Sequence, residues 1–180
     1  MGSPRKNGNT HLLLSRMIEG VQEAGGTGEI ISLVDYKIYD CDGCHTCWKG
    51  NACSKNDDMN GLYLKINECD VIIFGTPVYW YGPTAIMKAF LDRFVYYNCP
   101  ENRQLLKGKS AILVTPFEEK KEETARLLVE MFKKSLNYLE IPLIEKLIVP
   151  GVYHKADVLK FDAVMKNAYK IGTKIINLLD

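Results

Sequence analysis

Charge of one sign is missing from this chain. Its 180 residues carry 23 Lys and Arg against 22 Asp and Glu, a formal net charge of +1, so no bulk field draws it to nucleic acid or to a lipid surface. Long apolar runs are missing too: no stretch reaches the roughly 20 residues of a membrane-spanning helix, and no signal-peptide pattern opens the sequence. The expectation is a cytoplasmic protein without nucleic-acid or membrane partners. No repeat or low-complexity linker divides the chain, and residues 1–180 suffice for a single domain with a sizeable core. Nothing suggests secretion, so the six cysteines are read as metal ligands or redox thiols rather than as a disulfide framework.

What is present is an alternation. Three short runs are apolar on both faces and bounded by turn residues, the mark of buried parallel strands: "EIISLV" (Glu29 to Val34), "DVIIFG" (Asp70 to Gly75) and "SAILVTP" (Ser110 to Pro116). A fourth, weaker run covers Leu143 to Val149. Helical spacing fills the gaps, at Thr10 to Ala24, Pro83 to Tyr97, Glu119 to Leu139 and Phe161 to Leu179. The last carries Val164, Ala168, Ile171, Ile175 and Leu179 at spacings of three and four. Alternating strands and helices predict an α/β fold, a doubly wound parallel sheet with helices on both faces and ligand-binding loops at the carboxyl ends of the strands.

Three loops on that edge carry the chemistry. In "GSPRKNGNT", Ser3, Asn9 and Thr10 offer hydrogen-bond donors and Arg5 a permanent charge, ahead of a helix whose free N–H groups favour an anion. A phosphate monoester would be held there; a ligand-free Ser/Asn/Gly cap loop is the competing reading. In "GTPVYWYGP", three consecutive aromatics, Tyr79 to Tyr81, suit a flat conjugated ligand or a partner subunit. In "CDGCHTCWKGNAC", Cys41, Cys44, Cys47 and Cys53 follow the spacing C-x2-C-x2-C-x5-C. Four thiolates so close suit a four-iron, four-sulfur cluster, whereas structural zinc usually takes two separated pairs. Zinc, or thiols with no metal, remain the alternatives. Cys69 reads as an apolar filler, Cys99 has no assigned role, and His45 is read as a neighbour of the ligands rather than one of them. Asp57 and Asp58 read as a helix N-cap.

Taken together, "GSPRKNGNT", the compact cysteine segment at 41–53 and "NECDVIIFGTPVYWYGPTAIMKAFLDR" resemble the iron–sulfur flavoprotein branch of the NADPH-dependent FMN reductase and flavodoxin-like superfamily, from Gly2 to about Pro116. The resemblance implies a flavodoxin-like sheet of order 2-1-3-4-5 with FMN at the loop edge. Ser3, Arg5, Asn9 and Thr10 would hold the phosphate. Pro77, Val78, Tyr79 and Trp80 would line the ribityl chain and ring, and Thr115 and Pro116 would approach the ring edge. It further implies a cluster on the four cysteines and electron transfer from a ferredoxin-like donor to an unidentified acceptor, with no dedicated acid–base residue.

In such a sheet the strand before the phosphate loop is the central one, and here that loop begins at residue 2. Without the strand, about five apolar side chains worth about 1.5–3 kcal/mol each lose their burial, comparable with the whole net stability of a domain. The expectation is therefore that Met1 is an internal methionine of a chain starting upstream. Two other functions stand beside the leading one: an NAD(P)H-dependent FMN or quinone reductase without a cluster, and a zinc-binding, non-enzymatic module. The Tyr79–Tyr81 loop with Met87, Phe90, Phe94, Tyr96 and Tyr97 predicts an aromatic surface shared in a homodimer or homotetramer.

Overall fold

The computed structural model describes residues 1–177. In chain order its elements are α1 (Asn9–Glu23), α2 (Met59–Glu68), β1 (Val71–Gly75), α3 (Ala85–Asp92), α4 (Pro100–Arg103), β2 (Ser110–Pro116), α5 (Arg126–Tyr138), β3 (Leu143–Val149) and α6 (Asp162–Asn177). The three strands form one parallel sheet in the order β1-β2-β3. Leu179, expected at the end of the last apolar stripe, lies outside the described residues.

The sheet separates two apolar cores, and β2 shows why its sequence is apolar throughout. Ala111 and Leu113 face one core, with Leu62, Phe90, Leu128 and Phe132 of α2, α3 and α5. Ile112 and Val114 face the other, with Leu13, Met17, Ile171 and Ile175 of α1 and α6. That is the two-residue alternation of a strand covered on both sides. β3 is an edge strand and leaves Glu145 and Lys146 exposed, which blunts the edge against further pairing. No described helix is long and apolar enough to cross a membrane.

Two expectations change. The run Glu29 to Val34 is not a strand: residues 24–32 carry no strand, and Leu33–Asp35 form a 3₁₀ turn. An extended segment becomes a strand only beside a neighbour that completes its hydrogen bonds, and here the neighbour is two residues long. The Met1 amino group donates to the Ile31 carbonyl (2.6 Å), Leu33 N–H donates to the Met1 carbonyl (2.9 Å), and Gly2 N–H donates to the Gly75 carbonyl (2.7 Å). Beyond these bonds, a cavity of about 760 Å³ separates residues 25–31 from β1. Among the described residues the sheet therefore has three strands rather than the four that the apolar runs predicted. The aromatic surface is also smaller than expected. Met87, Phe90, Phe94 and Tyr97 are buried in the core, because the stretch from α3 into the 3₁₀ turn Arg93–Asn98 packs its apolar side against β1 and α5. Pro83 lies before the helix, which starts from Thr84 as N-cap.

α1 and α6 cross at two glycines. A Cβ on Gly172 would lie 1.9 Å from the Met17 carbonyl oxygen, and one on Gly20 would lie 2.2 Å from the Tyr169 carbonyl oxygen. Both obstacles are backbone, which cannot swing aside. Gly172→Ala gains about 1 kcal/mol of helix propensity but must push two helices apart, and overpacking of this kind costs about 1–3 kcal/mol or more. The expected net loss is about 2 kcal/mol, seen as a melting temperature lower by about 4–8 °C. A higher melting temperature would show that the crossing is loose.

Candidate functional site

The loops at the carboxyl ends of β1 and β2 meet the loop that leads into α1. Ser3 is buried, and its hydroxyl accepts a hydrogen bond from Arg5 N–H at 3.3 Å. Gly8 is the N-cap of α1 and supplies no side-chain cap, so the N–H groups of the first turn face outward without a side-chain acceptor at the cap. Gly8 is required by space: a Cβ there would lie 2.9 Å from that of Arg5 and 3.0 Å from the Arg5 carbonyl oxygen. Thr10 is buried beneath this turn.

Arg5 and Asn9 reach across to a segment that sequence reasoning missed. Arg5 Nη1 donates to the Tyr153 carbonyl (3.1 Å), Asn9 Nδ2 donates to the His154 carbonyl (3.0 Å), and Val158 N–H donates to Asn9 Oδ1 (3.1 Å). Asp157 folds that segment by accepting from Tyr153 N–H (3.2 Å), His154 N–H (2.6 Å) and Lys160 Nζ (2.6 Å). Lys160 first, then the His154 N–H, holds the Asp157 carboxyl below the usual carboxylate range. The sequence signal was there: "YHKAD" places an Asp four residues past the start of a polar turn, where its carboxylate closes the backbone.

The loop after β1 is tied down at its base. Thr84 Oγ1 donates to the Gly2 carbonyl (2.6 Å) and accepts from Met87 N–H (3.4 Å), while Thr84 N–H donates to Thr76 Oγ1 (3.2 Å). Pro77 and Val78 are half-buried. Tyr79 and Gly82 then exchange N–H to carbonyl bonds at 2.8 and 3.0 Å, closing a two-residue turn with Trp80 at φ 49° and Tyr81 at φ 62°. Both central residues are left-handed, as a type I′ turn demands, a place usually taken by Asn-Gly. Two aromatics there are strained, and Trp80 is 97% exposed. Thr115 and Pro116 end β2, both buried, and Thr115 Oγ1 has no hydrogen-bond partner among the described residues.

The cysteine segment is folded by left-handed residues. His45 (φ 56°) and Gly50 (φ 77°) frame the 3₁₀ turn Thr46–Lys49, and His45 packs on Trp48 with ring centroids 4.1 Å apart. Cys41, Cys44, Cys47 and Cys53 all line one cavity of about 30 Å³, together with Tyr63, Arg93 and Val95. Cys47 is buried and Cys44 exposed. Hydrogen bonds from Ser54, then Thr46, lower the Cys44 thiol pKa; burial, then Cys53, raises that of Cys47. Among the described residues, no three His, Cys, Asp or Glu side chains are gathered closely enough to hold a metal ion. The donor set nonetheless fits a cluster in kind: four thiols on one cavity wall, next to a buried cation.

That cation is Arg93, the residue sequence reasoning overlooked. Its side chain is 1% exposed and that of Asp57 0%. Nη1 and Nη2 meet the two Asp57 oxygens at 2.5 and 3.2 Å, Nη1 also donates to the Tyr39 carbonyl (2.9 Å), and Nη2 to Cys53 Sγ (3.2 Å). Asp57 in turn accepts from Tyr39 N–H (2.8 Å) and Met59 N–H (3.2 Å). Asp57 is therefore more than a helix cap; Asp58 instead accepts from Lys37 N–H at 2.6 Å. The only sequence hint was an Arg ending an apolar helix stripe. Burial alone would raise the Asp57 carboxyl, but Arg93 and the two N–H donors outweigh it and hold the pKa below the usual range.

Asp57→Asn leaves the buried guanidinium without its counter-charge, and the expected loss is about 3–5 kcal/mol in chemical denaturation. Asp57→Leu combined with Arg93→Met should lose less, since no lone charge remains. Because the folded carboxyl titrates low, its contribution is complete above the ordinary value near 3.9. It fades as pH falls through the lower folded value. The acid limb of the stability profile should lose this component in Asp57→Asn. An unchanged limb would show the pair to be solvated.

Residues 1–149 match the family NADPH-dependent FMN reductase. Two iron–sulfur flavoproteins of Archaeoglobus fulgidus are 36% and 32% identical over 135 and 152 residues, covering 74% and 84% of this chain and 60% and 75% of theirs. One of Methanocaldococcus jannaschii is 40% identical over 92 residues, 51% of this chain and 48% of its own. The chain thus spans about half to three quarters of the length of these relatives. Its fold is similar to the Trp repressor binding protein of Bacillus subtilis (TM-score 0.70, 20% identity, 94% and 93% of the two chains). It is equally similar to the NAD(P)H:quinone oxidoreductase of Methanothermobacter marburgensis (TM-score 0.72, 16% identity, 98% and 93%). The chain belongs to the NADPH-dependent FMN reductase family, in its iron–sulfur flavoprotein branch, and has the flavodoxin-like fold.

Proposed function

We propose that the protein is a flavin-dependent oxidoreductase with two redox groups, FMN on the loop edge and a four-iron, four-sulfur cluster on Cys41, Cys44, Cys47 and Cys53. One observation supports joining them: both sets of residues hang on the same element. α3 starts at the Thr76–Thr84 loop, and the turn that follows it supplies Arg93, which grips the cysteine segment. α3 is eight residues long, a rise of about 12 Å. FMN exchanges one or two electrons and a cluster one at a time, so the pair would link a ferredoxin-like donor, or NAD(P)H, to an acceptor.

The chain's own groups bind and orient. The first-turn N–H groups of α1, with Ser3 and Arg5, suit a phosphate, and Asn9 and Thr10 fix that turn. Pro77, Val78 and Tyr79 would line the ribityl chain and ring, and Thr115, whose Oγ1 has no hydrogen-bond partner among the described residues, and Pro116 would approach the ring edge. Trp80 suits a flat ring or a second copy in a homodimer or homotetramer. Arg93 keeps a donor on Cys53 and a positive charge behind the thiols. A second reading, an NAD(P)H-dependent FMN or quinone reductase without a cluster, draws on the ungathered cysteines.

Anaerobic purification tests this through the visible spectrum with iron, sulfide and zinc analysis. Flavin bands with a broad absorption that bleaches on reduction, and about four irons and four sulfides per flavin, are expected, and Cys47→Ser should lose the iron while keeping the flavin. Flavin without iron would favour the second reading; zinc in place of iron, without flavin, would leave a non-redox module. The strained turn gives an independent check. Trp80→Asn with Tyr81→Gly should relieve left-handed strain of about 1–2 kcal/mol per residue, raising the melting temperature while weakening FMN affinity. Tighter or unchanged FMN binding would remove Trp80 from the site.

A further inference from the structure

Residues 150–160 lie beyond the stretch that matches the family, and they join two loops of the candidate site. At one end the chain pairs with the loop that follows β2. Phe117 N–H donates to the Val149 carbonyl (3.0 Å), Val152 N–H to the Phe117 carbonyl (2.9 Å) and Gly151 N–H to the Glu119 carbonyl (3.0 Å). At the other end Val158 is buried in the core that holds Leu13 and Met17 of α1. Between these ends the backbone crosses the start of α1, where Arg5 and Asn9 take the Tyr153 and His154 carbonyls.

Asp157 decides where those two carbonyls point. Its Oδ2 accepts from Tyr153 N–H and His154 N–H, which closes the turn, while Oδ1 accepts from Lys160 Nζ. Ala156 lies inside that turn at φ 65°, a conformation that alanine adopts only where its surroundings impose it. Without the carboxylate the two N–H groups lose their acceptor, and the peptide planes carrying the carbonyls are released.

Charge leads to the same residue. A carboxylate and two carbonyl oxygens beside an anion site repel the anion. Here Lys160 neutralises the carboxylate, and Arg5 and Asn9 engage the carbonyls. Asn9 spends both amide atoms on the segment, since its Oδ1 also accepts from Val158 N–H; its side chain is committed to holding the first turn of α1. Arg5 spends one of its five N–H donors on Tyr153, which fixes the guanidinium and leaves the others for a ligand.

We propose that Asp157 is a positioning residue for the flavin phosphate. By folding residues 153–158 it holds Arg5 and the first turn of α1 in the arrangement that favours a phosphorylated flavin over an unphosphorylated one. The inference rests on the FMN reading above; Asp157 acts through Arg5 and Asn9 rather than on the ligand.

The test compares FMN with riboflavin, which share the ring and ribityl chain and differ in the phosphate. Quenching of flavin fluorescence gives both dissociation constants for the full chain, for Asp157→Ala and for Asp157→Asn. Amide exchange of the flavin-free protein follows Val158 against Leu113 of the central strand β2. In Asp157→Ala, FMN affinity should fall about tenfold or more while riboflavin affinity changes by less than about twofold. Val158 should exchange about tenfold faster, with Leu113 unchanged. Asp157→Asn keeps an oxygen for the two N–H groups and should stay within about threefold of the parent for FMN. Asn9→Ala cuts the same link from the α1 side, leaves the turn intact and should reproduce the split between the two flavins. An equal loss of both flavins in either alanine variant overturns the proposal, because a merely structural residue acts on both; unchanged FMN affinity overturns it too. A parent chain with no preference for FMN over riboflavin overturns the phosphate reading itself, a result distinct from a preference that Asp157→Ala leaves intact.

Discussion

The ion pair between Arg93 and Asp57 is the constraint on which the functional half of the molecule depends. A guanidinium and a carboxylate almost wholly out of water attract each other strongly, but that attraction has to offset the loss of hydration on both. The balance is met here by saturating the pair: five further or shared hydrogen bonds reach the Tyr39 carbonyl, Cys53 Sγ, Tyr39 N–H and Met59 N–H as well as the second Asp57 oxygen. Their positions matter more than their sum. Tyr39 precedes the first cysteine of the segment and Cys53 is the last, so one side chain holds both ends of a loop that has no strand and no apolar core of its own. Tyr63 adds to the anchor by donating its hydroxyl to the Arg93 carbonyl at 2.9 Å.

Much of the fold was legible because its signals are local or repeat with a fixed period. β2 falls where a two-faced apolar run predicted it, β3 where the weaker fourth run did, and Asp70 to Gly75 is off by one residue from β1. α1 and α6 followed their apolar stripes. The run Glu29 to Val34 had the same composition and failed, since a strand is a relation between two segments, and composition describes only one. The aromatics after the Tyr79–Tyr81 loop failed for a related reason. Met87, Phe90, Phe94 and Tyr97 look alike whether they cover a partner or fill a core, and only the position of α5 and β1 opposite them decides it.

The site divides the same way. Ser3, Arg5, Asn9 and Thr10 were readable as donors around a helix start, and the structure brings them together at α1. What could not be read was the closure of that loop from the far end of the chain: Arg5 and Asn9 use main-chain groups of residues 153 to 158, and carbonyl acceptors have no sequence signature. Arg93 was equally hidden, because a buried cation is recognised by its partners, and those are 36 and 40 residues away.

The cysteine segment is oriented by its anchors. Its ends are pinned by the ion pair, and its direction is set by His45, Gly43 and Gly50 in the left-handed region, so all four thiols face a single small cavity. The sulfurs themselves stop short of a coordination shell, and Cys44 is held at the surface by Ser54 and Thr46. Thiolates packed close together would repel one another, and thiols on a loop pinned only at its ends can stay apart. The buried guanidinium behind Cys53 donates to its sulfur at 3.2 Å. It places a positive charge beside the last cysteine and, through Asp57 and the Tyr39 carbonyl, ties that end of the loop to its start.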